Sequence, residues 1–118
     1  MTQVMIYHNP RCSKSRETLQ LLEQRDLQPT IIEYLKTPPS VAEIKSLVKQ
    51  LGFESARQLI RCKEDLYREL ELAQEQDEEK LYTAMAEHPK LIERPIVVVN
   101  QQARLGRPPE AVLEMLPA

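Results

Sequence analysis

The apolar positions at the start of the chain change from a continuous run to a helical spacing within a few residues. The run from Val4 to Tyr7 is bounded by the turn signal Asn9-Pro10 and predicts a buried strand. Three residues then recur at helical spacing behind Ser13, the expected N-cap residue: Thr18, Leu19 and Leu22. A second run, rich in β-branched residues over 30–35, predicts another strand. These elements make a βαβ unit, whose strands should be parallel with a right-handed crossover.

A helix with clear end signals follows this unit. Thr37-Pro38-Pro39 ends the second strand, and Ser40-x-x-Glu43 has the spacing of a capping box. Four apolar residues follow at i, i+3, i+4 and i+7: Ile44, Leu47, Val48 and Leu51. Gly52 is a suitable stop, because glycine readily adopts the left-handed conformation found just past many helix ends.

The pattern stays helical, and becomes acidic, as far as Pro89. Short helices are predicted in three places: around 56–60, over 65–70, and across Leu81 and Met85. The polar run 74–80 predicts a solvated loop that leads into the last of these helices. The chain from about residue 37 to 89 is therefore expected to be a helical insertion.

The last part of the chain predicts a β-hairpin and a closing helix. Pro95 precedes the apolar run 96–99, and strands tolerate a proline at their start. Asn100-Gln101-Gln102 predicts a turn, after which 103–106 can return as an antiparallel strand. Pro108-Pro109 opens a helix whose inward-facing residues are helically spaced: Ala111, Val112, Met115 and Leu116. The order βαβ, helices, ββα is that of an α/β fold with a thioredoxin-like mixed sheet and a central helical insertion.

Cys12 lies where the first strand gives way to the first helix. Backbone N–H groups and the positive end of the helix dipole stabilise an anion at such a position. Arg11, Lys14 and Arg16 add positive charge within a few residues. Surroundings of this kind lower the pKa of a thiol, and the thiolate is the nucleophilic form. We therefore expect a reactive thiolate at neutral pH rather than an inert cysteine at a helix start.

Composition narrows the class of protein. A chain of 118 residues that is 42% hydrophobic and 29% charged is expected to form a single domain over 1–118, and a monomer. The net charge of −2 gives no attraction to nucleic acid or to a membrane surface. No apolar run could span a bilayer and no export signal is visible, so a cytoplasmic location is expected. Cys12 and Cys62 form no disulfide framework, which fits a reducing compartment.

Four separated segments carry a resemblance to a known family. They are His8-Asn9-Pro10-x-Cys12, Arg61, Glu93-Arg94-Pro95-Ile96-Val97-Val98 and Arg104-Leu105-Gly106-Arg107-Pro108. In this order they resemble the glutaredoxin-dependent arsenate reductase family, over nearly the whole chain. Because the sequence ends at Ala118 without the charged tail of longer plasmid-type relatives, it resembles a short chromosomal branch of that family.

The resemblance implies an enzyme that reduces arsenate to arsenite, with glutathione as co-substrate, glutaredoxin as partner and no bound cofactor. In that family the active cysteine attacks arsenate, glutathione displaces an arsenic-bound oxygen, and glutaredoxin reduces the product to release arsenite. The roles carried over make Cys12 the nucleophile and His8 an assistant to its thiolate. Arg61, Arg94 and Arg107 would hold the oxyanion. Guanidinium groups suit this task, because their planar fork matches the paired oxygens of a tetrahedral anion.

Two expectations concern the neighbours of Cys12. In thioredoxin-like folds the proline that faces the active cysteine is typically cis, so the resemblance predicts a cis Arg94–Pro95 bond. His8, four residues before Cys12, could either hydrogen-bond the thiolate or cap the end of the strand.

The source of a second thiol is a separate question. Ser15 occupies the position where dithiol oxidoreductases carry their second cysteine, so an internal Cys-x-x-Cys disulfide is excluded. The second thiol must come from outside, as from glutathione, or from Cys62. We expect Cys62 to be a small buried apolar residue instead, and the resolving role is the alternative.

Two other thiol chemistries fit this sequence poorly. Low-molecular-weight tyrosine phosphatases need Cys-x5-Arg, and the sixth residue after Cys12 is Thr18. A zinc site would have to use four residues without the usual paired spacing: His8, Cys12, Cys62 and His88. No metal is therefore expected.

Two other functions stay open beside arsenate reduction. Some thioredoxin-like relatives with this insertion are regulatory proteins that bind RNA polymerase and respond to oxidation of a Cys-x-x-Cys pair, a switch that Ser15 removes here. Alternatively, the chain is a thiol enzyme that acts on a similar oxyanion or on a glutathionylated substrate.

Overall fold

The computed structural model describes residues 3–115, and the chain divides into two compact units. Met1–Thr37 and Arg94–Ala118 make up the first unit, and Pro38–Glu93 makes up the second. The strands are β1 (Val4–Tyr7), β2 (Thr30–Ile32), β3 (Ile96–Val99) and β4 (Gln102–Leu105). The α-helices are α1 (Ser13–Gln24), α2 (Val41–Gln50), α3 (Asp65–Glu69) and α4 (Glu78–Glu87). Four 3-10 helices among these residues complete the order: Ala56–Leu59, Leu72–Gln74, Pro89–Leu91 and Pro109–Met115.

The first unit contains the predicted mixed sheet, with strand order β2-β1-β3-β4. β1 pairs in parallel with β2, and antiparallel with β3, which pairs antiparallel with β4. α1 and the 3-10 helix Pro109–Met115 pack together. The core of this unit is apolar: Val4, Ile6, Leu22, Val97, Val99 and Val112. Val112 faces inward as predicted, and Leu116 lies outside the described residues.

Three boundaries in the first unit differ from the prediction. β4 spans Gln102–Leu105 rather than 103–106, because Gln102 already pairs with Val99 across the hairpin. β2 ends at Ile32 rather than at residue 35, because the N–H groups of Lys36 and Thr37 both donate to the Glu33 carbonyl and close a turn. The N-cap residue of α1 is Cys12, so the prediction of Ser13 is wrong by one position.

The second unit is helical, as the sequence predicts for its central part. The capping box is confirmed, since the Ser40 hydroxyl accepts from the Glu43 N–H and the Glu43 carboxylate accepts from the Ser40 N–H. Gly52 ends this helix with a φ of +76°, as expected of a glycine stop. α2 packs against α4 with three buried side chains: Ile44, Leu47 and Val48. The predicted single domain over 1–118 stays a prediction.

No helix within residues 3–115 is both long and apolar enough to cross a membrane.

Candidate functional site

Cys12 is held by an ordered turn between β1 and α1. Its N–H donates to the Asn9 carbonyl at 3.0 Å, and the Asn9 side-chain oxygen accepts from the Arg11 N–H at 3.0 Å. As the N-cap residue it has extended backbone angles, φ −96° and ψ 123°. An N-cap side chain normally faces the second and third amides of its helix, which here belong to Lys14 and Ser15. The half-buried sulfur therefore occupies the position where a capping oxygen is usually found.

The surroundings of Cys12 favour its thiolate. Burial raises the pKa of the thiol, but the Ser15 amide, the Arg94 charge, the Lys14 amide and the Arg107 charge together outweigh burial, so the pKa lies below that of an ordinary cysteine. No conventional capping hydrogen bond joins the sulfur to the amides, so we attribute their effect to the electrostatic attraction of N–H dipoles. Two backbone amides and two arginine charges thus favour the thiolate form of Cys12.

Arg107 and Arg94 approach the thiol from the loops that flank the β3–β4 hairpin. The Arg107 Nη2 atom lies 3.9 Å from the Cys12 sulfur, and Arg107 Nε donates to the Arg94 carbonyl at 2.8 Å. The Arg94 Nε atom is buried and has no hydrogen-bond partner among residues 3–115. The Arg94–Pro95 bond is cis, as predicted. The Arg107–Pro108 bond is also cis, and no sequence pattern predicts it.

His8 is buried against Ser15. Its Nδ1 atom lies 2.7 Å from the Ser15 hydroxyl, which also accepts from the Asn9 N–H at 3.0 Å. Burial lowers the pKa of His8, the Glu33 charge raises it, and the Arg16 charge lowers it; the net change is downward. The lowered pKa favours the neutral imidazole, and a Ser15 hydroxyl that donates to Nδ1 would place the ring proton on Nε2.

Ser15 has a structural role that its sequence context does not predict. The residue is fully buried and joins the end of β1 to the first turn of α1. The only local hint was its place three residues after Cys12, which identified a missing cysteine but not a hydrogen-bond partner. Since the Ser15 amide also stabilises the thiolate, the His8–Ser15 pair supports the group that faces the sulfur.

Arg61 belongs to the second unit, where it is engaged by carboxylates. Its guanidinium lies 3.2 Å from a Glu64 oxygen and 3.7 Å from a Glu93 oxygen, and it donates to the Lys90 carbonyl at 3.4 Å. Lys90 pairs with the other Glu64 oxygen at 3.7 Å. The structure thus brings Cys12, Arg94 and Arg107 together in the first unit and places Arg61 in an ion-pair cluster of the second.

Cys62 is exposed, so the prediction of a buried cysteine is wrong. The residue lies in a turn between the Ala56–Leu59 3-10 helix and α3, where no amphipathic period directs a side chain inward. Ile60, two residues earlier, is buried, and the Cys62 sulfur lies 3.5 Å from the Ile60 carbonyl oxygen. Burial raises the pKa of the neighbouring Tyr67, and a hydrogen bond with Cys62 raises it further.

No group of three or more His, Cys, Asp or Glu side chains that could hold a metal ion occurs in the part of the chain that the structure describes.

Comparison with known proteins gives this geometry a context. The arsenate reductase from Vibrio cholerae superimposes with a TM-score of 0.95 at 61% identity, over 98% of each chain. An uncharacterised protein of Escherichia coli, YfgD, is 58% identical over 97% of each chain. The arsenate reductase of Haemophilus influenzae is 51% identical over 96% of this chain and 98% of its own. The structural match confirms the predicted thioredoxin-like α/β fold. Since the ArsC family profile also matches residues 7–115, the chain belongs to the ArsC family.

Proposed function

We propose that this protein is an arsenate reductase, which reduces arsenate to arsenite through the Cys12 thiolate with glutathione and glutaredoxin as thiol donors. The observation that carries the proposal is the convergence of two guanidinium groups, of Arg94 and Arg107, on one activated thiol. The names of the relatives from Vibrio cholerae and Haemophilus influenzae, both arsenate reductases, support the choice of substrate.

The two arginines answer the main physical difficulty of the reaction. Arsenate is a multiply charged oxyanion, and a thiolate that approaches it is repelled unless nearby cations offset the charge. Arg107 lies within reach of an anion bound at the sulfur. Among the residues that the structure describes, the buried Nε of Arg94 has no acceptor, and an arsenate oxygen would satisfy it. Oxyanion binding would therefore remove the cost of an unpaired buried donor.

The chemistry proceeds by exchange at arsenic followed by transfer of an electron pair. The Cys12 thiolate forms a sulfur–arsenic bond, and an arsenate oxygen leaves as water after protonation. The glutathione thiol then replaces a second oxygen in the same way. A glutaredoxin thiolate attacks the glutathione sulfur and forms a glutaredoxin–glutathione mixed disulfide. The glutathione–arsenic bond breaks in the same step, and its electron pair reduces As(V) to As(III). Hydrolysis of the remaining bond releases arsenite and restores Cys12.

Ser15 supports the proposal that the reducing thiols come from another molecule. The position that would hold a resolving cysteine carries a buried hydroxyl, already bonded to His8 and to the Asn9 amide. A disulfide within the first turn of α1 cannot form, so we propose that another molecule releases Cys12. Glutathione and glutaredoxin supply two such thiols in sequence.

The test is a coupled assay with purified protein, arsenate, glutathione, glutaredoxin, glutathione reductase and NADPH, in which arsenite is measured directly. Cys12→Ser should abolish arsenite formation, while Cys62→Ser, the matched loss of an exposed thiol, should retain it. A wild type that forms no arsenite, or a Cys12→Ser variant that still does, contradicts the proposal. Replacing the glutathione system by thioredoxin and its reductase tests the donors separately: equal activity would reject glutaredoxin dependence.

The arginines are tested with alanine variants. Arg94→Ala and Arg107→Ala should each lower kcat/KM for arsenate by about 10- to 100-fold, because a hydrogen bond to a charged group is worth about 1.5–3 kcal/mol. Arg104 donates to the Ala103 carbonyl, so Arg104→Ala is the control, and its kcat/KM should stay near that of the wild type. Unchanged kinetics would remove the substituted arginine from the site. Arg61→Ala tests in the same way whether Arg61 binds the oxyanion, a role that rests on the resemblance alone.

A further inference from the structure

The loop after β4 meets α1 at a point where no side chain can be added. Gly106 is buried, and a Cβ atom built on it would lie 2.4 Å from Thr18 Oγ1 and 2.7 Å from Pro95 Cγ. Both distances are below the 3.0 Å that real Cβ contacts respect. The φ angle of Gly106 lies outside the left-handed region, so the backbone itself would accept any residue. Glycine is required here for space alone.

The two surfaces that enclose Gly106 are fixed by hydrogen bonds. Thr18 is fully buried, and its hydroxyl donates to the Lys14 carbonyl at 2.7 Å, which holds one rotamer. On the other side, the Gly106 N–H donates to the Pro95 carbonyl at 3.0 Å. Gly106 is thus held between α1 and the loop that precedes β3.

This packing fixes the backbone position from which the Arg107 side chain extends. Arg107 follows Gly106 directly, and its guanidinium bonds the Arg94 carbonyl while Nη2 lies 3.9 Å from the Cys12 sulfur. Cys12 is the N-cap residue of the helix on which Gly106 rests. We propose that Gly106 and Thr18 are positioning residues, whose close contact sets the distance between the Arg107 guanidinium and the Cys12 sulfur.

The expected effect on arsenate reduction rests on the proposed function. The first measurement, the pKa of the Cys12 thiol, does not. In a Cys62→Ser background, Gly106→Ala should push the loop from α1 and move Arg107 away from the sulfur. The pKa of Cys12, measured from thiolate absorbance and from the pH dependence of alkylation, should then rise. For arsenate, kcat/KM should fall on the order of 10- to 100-fold, the scale seen for misplacements of about 1 Å.

Gly52→Ala is the matched control. It strains a glycine whose φ is +76°, but the added Cβ would meet nothing within 4 Å. This variant should lose stability and keep the thiol pKa of the wild type. A folded Gly106→Ala protein with an unchanged Cys12 pKa, or a Gly52→Ala protein with the same rise, would overturn the inference.

A double variant tests the contact itself. Thr18→Ala removes two of the three atoms that the new Cβ would approach, Oγ1 at 2.4 Å and Cγ2 at 3.1 Å. Gly106→Ala with Thr18→Ala should therefore recover part of the lost thiolate stabilisation, whereas additive effects would overturn the inference. Should Gly106→Ala fail to fold, Thr18→Ala alone should still change the Cys12 pKa, and an unchanged pKa would overturn the inference. A wild type inactive toward arsenate contradicts only the proposed function, since the thiol readout needs no substrate.

Discussion

Ser15 links β1 to α1 through two hydrogen bonds, and the loss of its hydroxyl should cost more than its size suggests. The side chain is fully buried, lies 2.7 Å from His8 Nδ1 and accepts from the Asn9 N–H at 3.0 Å. His8 is itself only 6% exposed, so little water can replace the hydroxyl. Ser15→Ala would therefore leave a ring nitrogen and an amide without their partner.

The magnitude follows from these two partners. A buried polar group left unsatisfied costs about 1–3 kcal/mol, and the Asn9 amide is only partly buried, so its cost lies at the lower end. The sum is on the order of 2–4 kcal/mol, against a total stability of about 5–15 kcal/mol for a typical domain. We expect Ser15→Ala to lower the free energy of unfolding by this amount.

The assay is equilibrium unfolding in urea, followed by circular dichroism and by a second probe to test for a two-state transition. Ser13→Ala is the control, because Ser13 is exposed at the first position of the same helix and should change stability by less than about 0.5 kcal/mol. If Ser15→Ala loses no more stability than Ser13→Ala, the buried pair contributes nothing and the reasoning is refuted.

Three further predictions concern pH and capping. Because the folded pKa of His8 is lowered, the unfolded chain binds a proton that the folded one does not, so stability should fall below about pH 6.5, with a slope of at most about 1.4 kcal/mol per pH unit. His8→Asn should reduce that slope and His88→Asn should retain it; the reverse would reject His8 as its source. Because the pKa of Cys12 is lowered, its alkylation in Cys62→Ser should persist at pH values where free cysteine has stopped reacting, and coincident profiles would contradict this. Ser40→Ala should lower the free energy of unfolding by about 1 kcal/mol through loss of the capping box, against no change for exposed Ser46→Ala.

The elements that the sequence predicts well are those with local signals at both ends. α2 has a capping box before it and a glycine after it, and both are seen. The β3–β4 hairpin has an apolar run and a polar turn, and Asn100 and Gln101 take the positive φ angles of 49° and 69° that such a turn needs. The end of β2 lacks such a signal. Tyr34 and Leu35 continue the apolar run, and only hydrogen bonds to the Glu33 carbonyl reveal the turn.

The candidate site depends on contacts that no local pattern contains. Arg107 and Cys12 are 95 residues apart in the chain and meet only because β1, β3 and β4 are neighbours in the sheet. Periodicity predicts the strands but not which loop side chains converge, so the family resemblance was needed to nominate Arg94 and Arg107. His8 and Ser15 are only seven residues apart in the chain. Their hydrogen bond joins the end of a strand to a helix, however, and neither the strand period nor the helix period predicts such a contact.

Cys62 shows where residue type alone misleads about burial. Cysteine is among the residues most often buried. In a turn, however, the backbone conformation sets the direction of the side chain, and here Cys62 is exposed. A thiol reagent added to the native wild type should therefore modify both cysteines of the chain, and Cys12→Ser and Cys62→Ser should each retain one reactive sulfur. Counting modified sulfurs by mass before and after denaturation checks this. If the Cys12→Ser variant reacts only after unfolding, Cys62 is shielded in the native protein. Cys62→Ser would then no longer serve as the control for loss of an exposed thiol.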